Sequence, residues 1–374
     1  MLDSKKVEYL KDLSIKDLKA KIREIKVQLP QEQRNIITYS RNFTISLSNY
    51  CQNQCGYCFY NYKIPKINGN DNVILINNED IVDLVQKALQ YNCKEALLMS
   101  GENPESFQEV KTELESRDCH DFIRFVIDIC TYLLDLNLLP HTNLGVLSYE
   151  ELKQLKEYNA SMGLMLESTS MKLFNKGGVH EFSPGKLPEK RIRHIKDAGR
   201  LKIPFTTGLL LGIGESFEDR IKDLYLIKDI YHQYGHIQEV IIQNFVYKER
   251  IAYNPKNPIT IEELVKIAGI AKIIFGNEIS IQIPPNLIAG YEKEFLKIGI
   301  DDFGGISPIT KDFINPKNPW PQIEHLKKIC KMNGYTLKER FPIYDKFISK
   351  TEFISNKVKK IIDNININDN RTGF

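Results

Sequence analysis

Apolar and polar side chains alternate in the segment FTISL, residues 43–47, and the run leads directly into CQNQCGYC. A period of two followed by a polar, cysteine-bearing stretch predicts a strand that ends in a functional loop. Beyond it the period lengthens. Helical spacing predicts helices near 79–91, 121–136, 148–157, 189–199, 217–234 and 261–275, and each gives way to a short β-rich run: EALLM, LLPHT, SMGLMLE, PFTTGLLLG, IQEVIIQNF and ISIQIP. Ser148 with Glu151 and Thr260 with Glu263 fit the capping box, in which hydroxyl and carboxylate satisfy free backbone donors reciprocally. Gly199 and Gly276 read as helix stops.

Strands that alternate with helices of this length require parallel pairing through right-handed crossovers, and seven or eight such units predict a closed α/β barrel of the TIM type, (β/α)8. An open doubly wound sheet is the alternative architecture. The rhythm divides the chain into an N-terminal helical extension over 1–40, a barrel over 41–310 and a C-terminal extension over 311–374 that holds the Pro-rich stretch NPKNPWPQ. Both extensions read as packing elements rather than sites.

Composition narrows the classes. In 374 residues, 42% hydrophobic and 26% charged side chains describe a core-forming globular chain rather than a disordered one. The 51 basic and 48 acidic residues are interspersed, so no field of one sign points to nucleic acid. No apolar run approaches the roughly 18 residues of a membrane span, and the lysine-rich start lacks the apolar core of a secretory signal. A cytoplasmic location is expected.

Of seven cysteines, Cys51, Cys55 and Cys58 crowd into eight positions, while Cys93, Cys119, Cys130 and Cys330 lie far apart. A disulfide framework does not suit a large core-forming chain. Structural zinc wants four ligands, and a ferredoxin-type carrier wants a fourth cysteine near the other three. Three thiolates from one short loop suit a 4Fe-4S cube with one open iron. That iron can be chelated by the amino and carboxylate groups of S-adenosylmethionine (SAM), with the sulfonium beside the cube. One electron then cleaves a carbon-sulfur bond and releases a 5'-deoxyadenosyl radical; the cofactor does the hard chemistry and the protein orients it.

The C-x3-C-x2-C spacing, with aromatic Tyr57 just before the last cysteine, resembles the radical SAM superfamily. So does Gly101-Glu102 at the end of a strand run, which in that superfamily holds the methionine amino group; alone it would read as a turn. GLLLGIGES, ending at Ser216, resembles the superfamily's GxIxGxxE pattern, where close backbone approach at residues such as Gly212 helps seat adenine. As a phosphate loop it lacks the full dinucleotide fingerprint. Glu167, at a strand end, is a candidate for the ribose hydroxyls. Gln243 and Asn244 are candidates for the adenine edge. Solvated strand caps are the plain alternative for all three.

Longer phrases resemble one family within the superfamily: LLPHTNLGVLSYEELKQLKEYNASMGLMLES, GRLKIPFTTGLLLGIGES and DDFGGISPITKDFINPKNPWP. Over about residues 40–325 the chain is similar to 7,8-didemethyl-8-hydroxy-5-deazariboflavin synthases. The resemblance implies an ammonia-eliminating radical SAM lyase of deazaflavin coenzyme biosynthesis. Its substrate is 5-amino-5-(4-hydroxybenzyl)-6-(D-ribitylimino)-5,6-dihydrouracil, supplied by a companion radical SAM subunit, and an external donor provides the electron. His141, with Thr142 and Asn143, and Asp301, with Asp302, are then expected at the barrel mouth, where they would bind polar groups of the substrate or take up protons. Loop and turn chemistry is the plain alternative. The rival readings are the companion subunit itself, which joins a tyrosine-derived hydroxybenzyl group to a diaminouracil, and a noncatalytic metal-binding or electron-transfer module.

Overall fold

A computed structural model describes residues 4–64 and 72–371. The described residues form nine strands: β1 (Ile36–Ser48), β2 (Glu95–Ser100), β3 (Leu139–Asn143), β4 (Ser161–Gly163), β5 (Phe205–Leu211), β6 (Ile237–Asn244), β7 (Ser280–Gln282), β8 (Asp302–Ile306) and β9 (Thr336–Glu339). The first eight pair in sequence order, all parallel, and β1 pairs with both β8 and β2, so the barrel closes. The open sheet is excluded. β1 also carries β9 on its first half, with Ile36 opposite Thr336.

Among the described residues thirteen α-helices accompany them: α1 (Ser4–Asp12), α2 (Ile15–Val27), α3 (Asn78–Gln90), α4 (Gln108–Ser116), α5 (Phe122–Asp135), α6 (Tyr149–Lys156), α7 (Pro188–Arg200), α8 (Phe217–Tyr234), α9 (Ile261–Phe275), α10 (Glu292–Lys297), α11 (Ile323–Met332), α12 (Asp345–Ile348) and α13 (Asn356–Arg371). The predicted capping boxes at Ser148 and Thr260 are formed, as is another at Ser216. Gly276 caps α9 with a positive φ. Gly199, however, does not stop a helix. It lies inside α7, where a Cβ would fall against Tyr234 and His236, so the glycine serves packing with α8. SMGLMLE is also less regular than expected, since only Ser161–Gly163 form strand and Glu167 returns as an isolated bridge to Leu209.

The pleat of β1 explains why a barrel can have a greasy outside and a polar inside. Phe43, Ile45 and Leu47 are fully buried under the helices, while Asn42 and Thr44 line an internal cavity. At the opposite end from the mouth, a second apolar cluster seats Ile343, Phe347, Phe353, Val358 and Ile362 against Leu139 and Ala160, at the starts of β3 and β4. The C-terminal segment thereby closes the barrel floor. No described helix is long and apolar enough to cross a membrane.

Candidate functional site

The interior holds a cavity of about 380 Å³, in the range of small-molecule sites, running from the loops after β1 and β2 down to Arg340 and Pro342. Its upper wall is the cysteine loop. Backbone bonds pin this loop to three other segments: Gln52 N–H donates to the Glu102 carbonyl, Gly56 N–H to that of Val179, and Tyr253 N–H to that of Gly56. Asn61 Nδ2 donates to the Asn53 carbonyl at 2.8 Å, and Cys58 N–H to that of Cys55, closing the turn. Gly101 is required where β2 meets the loop, because a Cβ there would lie 2.8 Å from Cys51 Cβ and inside the Tyr50 carbonyl.

Cys51, Cys55 and Cys58 all line the cavity and none is in a disulfide. Burial pushes the Cys51 thiol up to about 12 and also raises Cys55, so an isolated thiolate is disfavoured until a cation compensates it. Donors are nevertheless aimed at sulfur: Glu102 N–H reaches Cys51 Sγ at 3.2 Å and Ser183 Oγ reaches Cys55 Sγ at 3.3 Å. Among the described residues no three His, Cys, Asp or Glu side chains converge on a single-ion site. Three free thiols on one wall, with hydrogen bonds to sulfur and no fourth protein ligand, fit an iron-sulfur cube bound at three corners.

Glu102 lies beside this wall, packed where a Cβ on Gly185 could not fit. Its carboxylate accepts from Gln52 Nε2 at 2.8 Å and Val146 N–H at 3.1 Å, with Arg191 Nη1 3.6 Å away. Glu167, four residues past the end of β4, takes a left-handed backbone, φ 64°, and lines the cavity. Burial alone would raise its carboxyl, but Lys186, 2.7 Å away, and Arg191 outweigh burial and hold it below its ordinary range. Tyr57 lines the same wall, its hydroxyl 3.0 Å from His180 Nε2, and Gln243 and Asn244 line the cavity at the end of β6.

Lower down, Ser161 Oγ donates to the Pro342 carbonyl at 2.8 Å and sits 2.6 Å from His141 Nδ1. With the hydroxyl proton committed, Nδ1 must be the donor, and burial holds the imidazole neutral by pushing it down to about 3. Nε2 is therefore a bare acceptor. His141 lines the cavity, though it faces the barrel interior rather than the mouth.

Two expectations need correction. Asp301 precedes β8 and so lies at the floor end, outside the cavity lining; its carboxylate is bound by Lys272 Nζ at 2.8 Å and by Ile281 N–H at 3.0 Å. Gly212 also lies off the cavity. Its N–H donates to Glu215 Oε1, which Arg220 clamps at 2.7 Å, so this glycine turns the chain after β5.

Sequence reasoning missed several groups. Lys186, Ser183 and His180 come from the long connection between β4 and α7, which has no periodicity to read, and Arg191 comes from the start of α7. Lys248, pushed down to about 8 by burial, lines the cavity after β6. The C-terminal extension is not mere packing, because Asp312, Phe313, Trp320, Arg340 and Pro342 all line the cavity.

The pattern that defines the Radical SAM superfamily matches residues 45–227. Among solved structures, the fold is similar to the FeFe-hydrogenase maturase HydG, with TM-score 0.70, 14% identity, and 98% of this chain and 92% of that one covered. It is also similar to methylornithine synthase (PylB), with TM-score 0.67, 18% identity, and 90% and 94% covered. Much nearer relatives carry the name 7,8-didemethyl-8-hydroxy-5-deazariboflavin synthase. That of Methanothermobacter thermautotrophicus is 46% identical over 329 residues, 88% of this chain and 98% of the relative. That of Methanocaldococcus jannaschii is 44% identical over 360 residues, 96% of each. With a closed parallel barrel, three free thiols on one cavity wall and this identity along nearly the whole chain, the protein belongs to the 7,8-didemethyl-8-hydroxy-5-deazariboflavin synthase family of radical SAM enzymes.

Proposed function

We propose that the chain converts 5-amino-5-(4-hydroxybenzyl)-6-(D-ribitylimino)-5,6-dihydrouracil to 7,8-didemethyl-8-hydroxy-5-deazariboflavin, with loss of ammonia and cleavage of SAM to 5'-deoxyadenosine and methionine. The observation that carries this reading is the wall formed by Cys51, Cys55 and Cys58, all three free, inside a closed barrel whose cavity also holds Glu102 and Glu167. When bound at these cysteines, a 4Fe-4S cluster with SAM supplies one-electron cleavage of a carbon-sulfur bond and a radical able to abstract hydrogen.

This chain's own residues bind, orient and move protons. Glu102, anchored by Gln52 and Val146, accepts from the methionine ammonium together with backbone at Gly101. Glu167, kept ionised by Lys186 and Arg191, accepts from ribose hydroxyls. Asn244 reads the adenine edge and Tyr57 packs beside it. His141 Nε2 is the acceptor for a proton released as the rings join. Phe313 and Trp320, on the segment after β8, cover the cavity and exclude water. A separate one-electron donor and a companion radical SAM subunit that supplies the adduct complete the scheme.

The test is anaerobic reconstitution with iron and sulfide, followed by SAM, a reductant and synthetic adduct. About four irons per chain, 5'-deoxyadenosine and a fluorescent deazaflavin are expected. Product formed only from tyrosine plus diaminouracil would transfer the chain to the companion activity, and absence of SAM cleavage would end the radical SAM reading.

A further inference from the structure

The cavity changes character along its length. In the layer nearest the floor, Asn42 stands opposite Glu95 in the β1–β2 register and Thr206 opposite Glu239 in that of β5 and β6, and all four line the cavity with Gln282 and Arg340. Two residues further along the same strands, on the same face, the lining turns apolar at Leu97 and Ile241. Nearer the mouth, beside the thiols, the ring of Tyr60 meets Phe313 edge-on.

Three side chains of the floor are open to the cavity. Asn42, Glu95 and Gln282 are each more than nine-tenths buried. Yet among the described residues no ion pair reaches the Glu95 carboxylate, and no hydrogen bond reaches the Asn42 amide nitrogen or the Gln282 side-chain amide. None of these atoms is sealed within protein, whereas Asn42 Oδ1 is, so this amide turns its nitrogen to the cavity. The glycine pair of β8 makes room for both amides: a Cβ on Gly304 would fall on Gln282 Nε2, and one on Gly305 on Asn42 Nδ2.

Charge decides what can dock there. Glu95, Glu239 and Asp302 gather around one guanidinium, and Arg340 commits its donors to Asp302, Glu239 and the Phe341 carbonyl. An anionic tail would meet an excess of negative charge. A neutral chain rich in hydroxyls suits the floor, because each hydroxyl can donate to a carboxylate and accept from an amide.

We propose that Glu95, Asn42 Nδ2 and Gln282 form a polyol site at the barrel floor, which holds the ribityl chain of the substrate and rejects a phosphorylated one; the inference rests on the function proposed above. The uracil then lies in the layer of Leu97 and His141, which face each other in the β2–β3 register, and the hydroxybenzyl ring reaches Tyr60 and Phe313 beside the thiols. Glu95 touches the substrate without making or breaking a bond, and so sets specificity.

Anaerobic holoenzyme with SAM and no reductant is titrated by calorimetry with three ligands: the adduct, an analogue carrying pentyl in place of ribityl, and the phosphate ester of the ribityl chain. Wild type should bind the adduct roughly a hundredfold more tightly than either of the others. Glu95→Leu should reduce the preference for ribityl over pentyl by roughly tenfold, and Asn42→Ala by roughly fivefold, with iron content and SAM affinity as in wild type. Equal wild-type affinity for the adduct and the pentyl analogue, or for the adduct and the phosphate ester, would overturn the proposal, as would an undiminished ribityl preference in Glu95→Leu. Should Glu95→Leu not load iron, Asn42→Ala decides, and a full ribityl preference there counts against the site in the same way. If wild type turns the adduct into fluorescent product while showing no ribityl preference, the polyol site alone falls. If it cleaves SAM yet binds none of the three ligands, the assigned substrate falls and the polyol site with it.

Discussion

Replacing Arg340 with Met removes the cation on which the barrel floor is built. The Arg340 guanidinium donates through Nε to Asp302 Oδ2 at 2.6 Å and through Nη2 to Asp302 Oδ1 at 3.0 Å and Glu239 Oε2 at 2.9 Å; Nη1 reaches the Phe341 carbonyl. These side chains are nearly inaccessible: 9% for Arg340, 0% for Asp302 and 6% for Glu239. Breaking a buried pair by removing one partner costs about 3–5 kcal/mol, because the remaining charge is stranded. Here two carboxylates are stranded, although Tyr344 OH still donates to them, at 2.9 Å to Glu239 and 3.0 Å to Asp302, which places the loss near the lower end. With about 2.1 cal/mol/K per residue over 374 residues, unfolding entropy is about 0.8 kcal/mol/K, so a loss of about 3 kcal/mol should lower Tm by about 4 °C. Burial already raises Glu239, and without Arg340 it rises further. A carboxyl whose folded pKa is raised loses stability as pH climbs from its unfolded value through that folded value, so the Arg340→Met deficit should be smaller at pH 5 than at pH 8. The assay is thermal unfolding followed by circular dichroism at both pH values, with Glu239→Gln/Arg340→Met beside the single variants. A Tm within 1–2 °C of wild type (roughly 1 kcal/mol), or a double variant equal to the sum of the singles, would refute the argument.

Three further outcomes follow from the site and the core. Lys186→Met leaves Glu167 buried beside Arg191 alone; the KM for SAM should rise roughly tenfold with iron content unchanged, and a normal KM would remove Glu167 from the SAM site. Gly101→Ala forces a methyl into the Tyr50 carbonyl and Cys51; iron per chain after reconstitution should fall, while full iron with normal SAM cleavage would show the close approach to be dispensable. His236, buried and donating through Nε2 to the Ile195 carbonyl at 2.9 Å, is pushed down to about 3. As pH falls below about 6.5 the unfolded chain gains a proton that the folded chain refuses, so stability declines with acid. His236→Gln keeps a donor in place, and should reduce the slope of unfolding free energy against pH, measured in urea between pH 5 and 6, by about one proton. An unchanged slope would contradict the assignment.

Wherever one physical signal repeats, the chain could be read from residues alone. β5, β6 and α5 to α9 carry long apolar periods with caps, and their expected bounds fall within two or three residues of those observed. The cysteine triplet and Gly101-Glu102 were legible because close spacing itself is the signal. Contacts made across the barrel were not. Nothing near Asp301 announces Lys272, 29 positions earlier, and nothing in the polar tail marks Arg340 as the partner of Glu239, 101 positions away. Gly212 misled for a different reason: a glycine with φ 87° serves a tight turn as readily as a ligand, and Glu215 satisfies that turn from within. The Pro-rich stretch hid its role because prolines and asparagines specify loops without saying what the loops cover.

The segment that runs beneath the barrel after β9 makes the polar interior depend on residues far along the chain from the strands they touch. Ser161 can hold His141 in its proton-accepting form only when the Pro342 carbonyl is present, and Glu239 and Asp302 gain their counter-ion only when Arg340 arrives. A chain clipped after β8 would have its eight barrel strands and its thiols but an unsealed base with mismatched charge. Sealing of the barrel base and neutralisation of its buried carboxylates are therefore one event, the docking of the segment after β9.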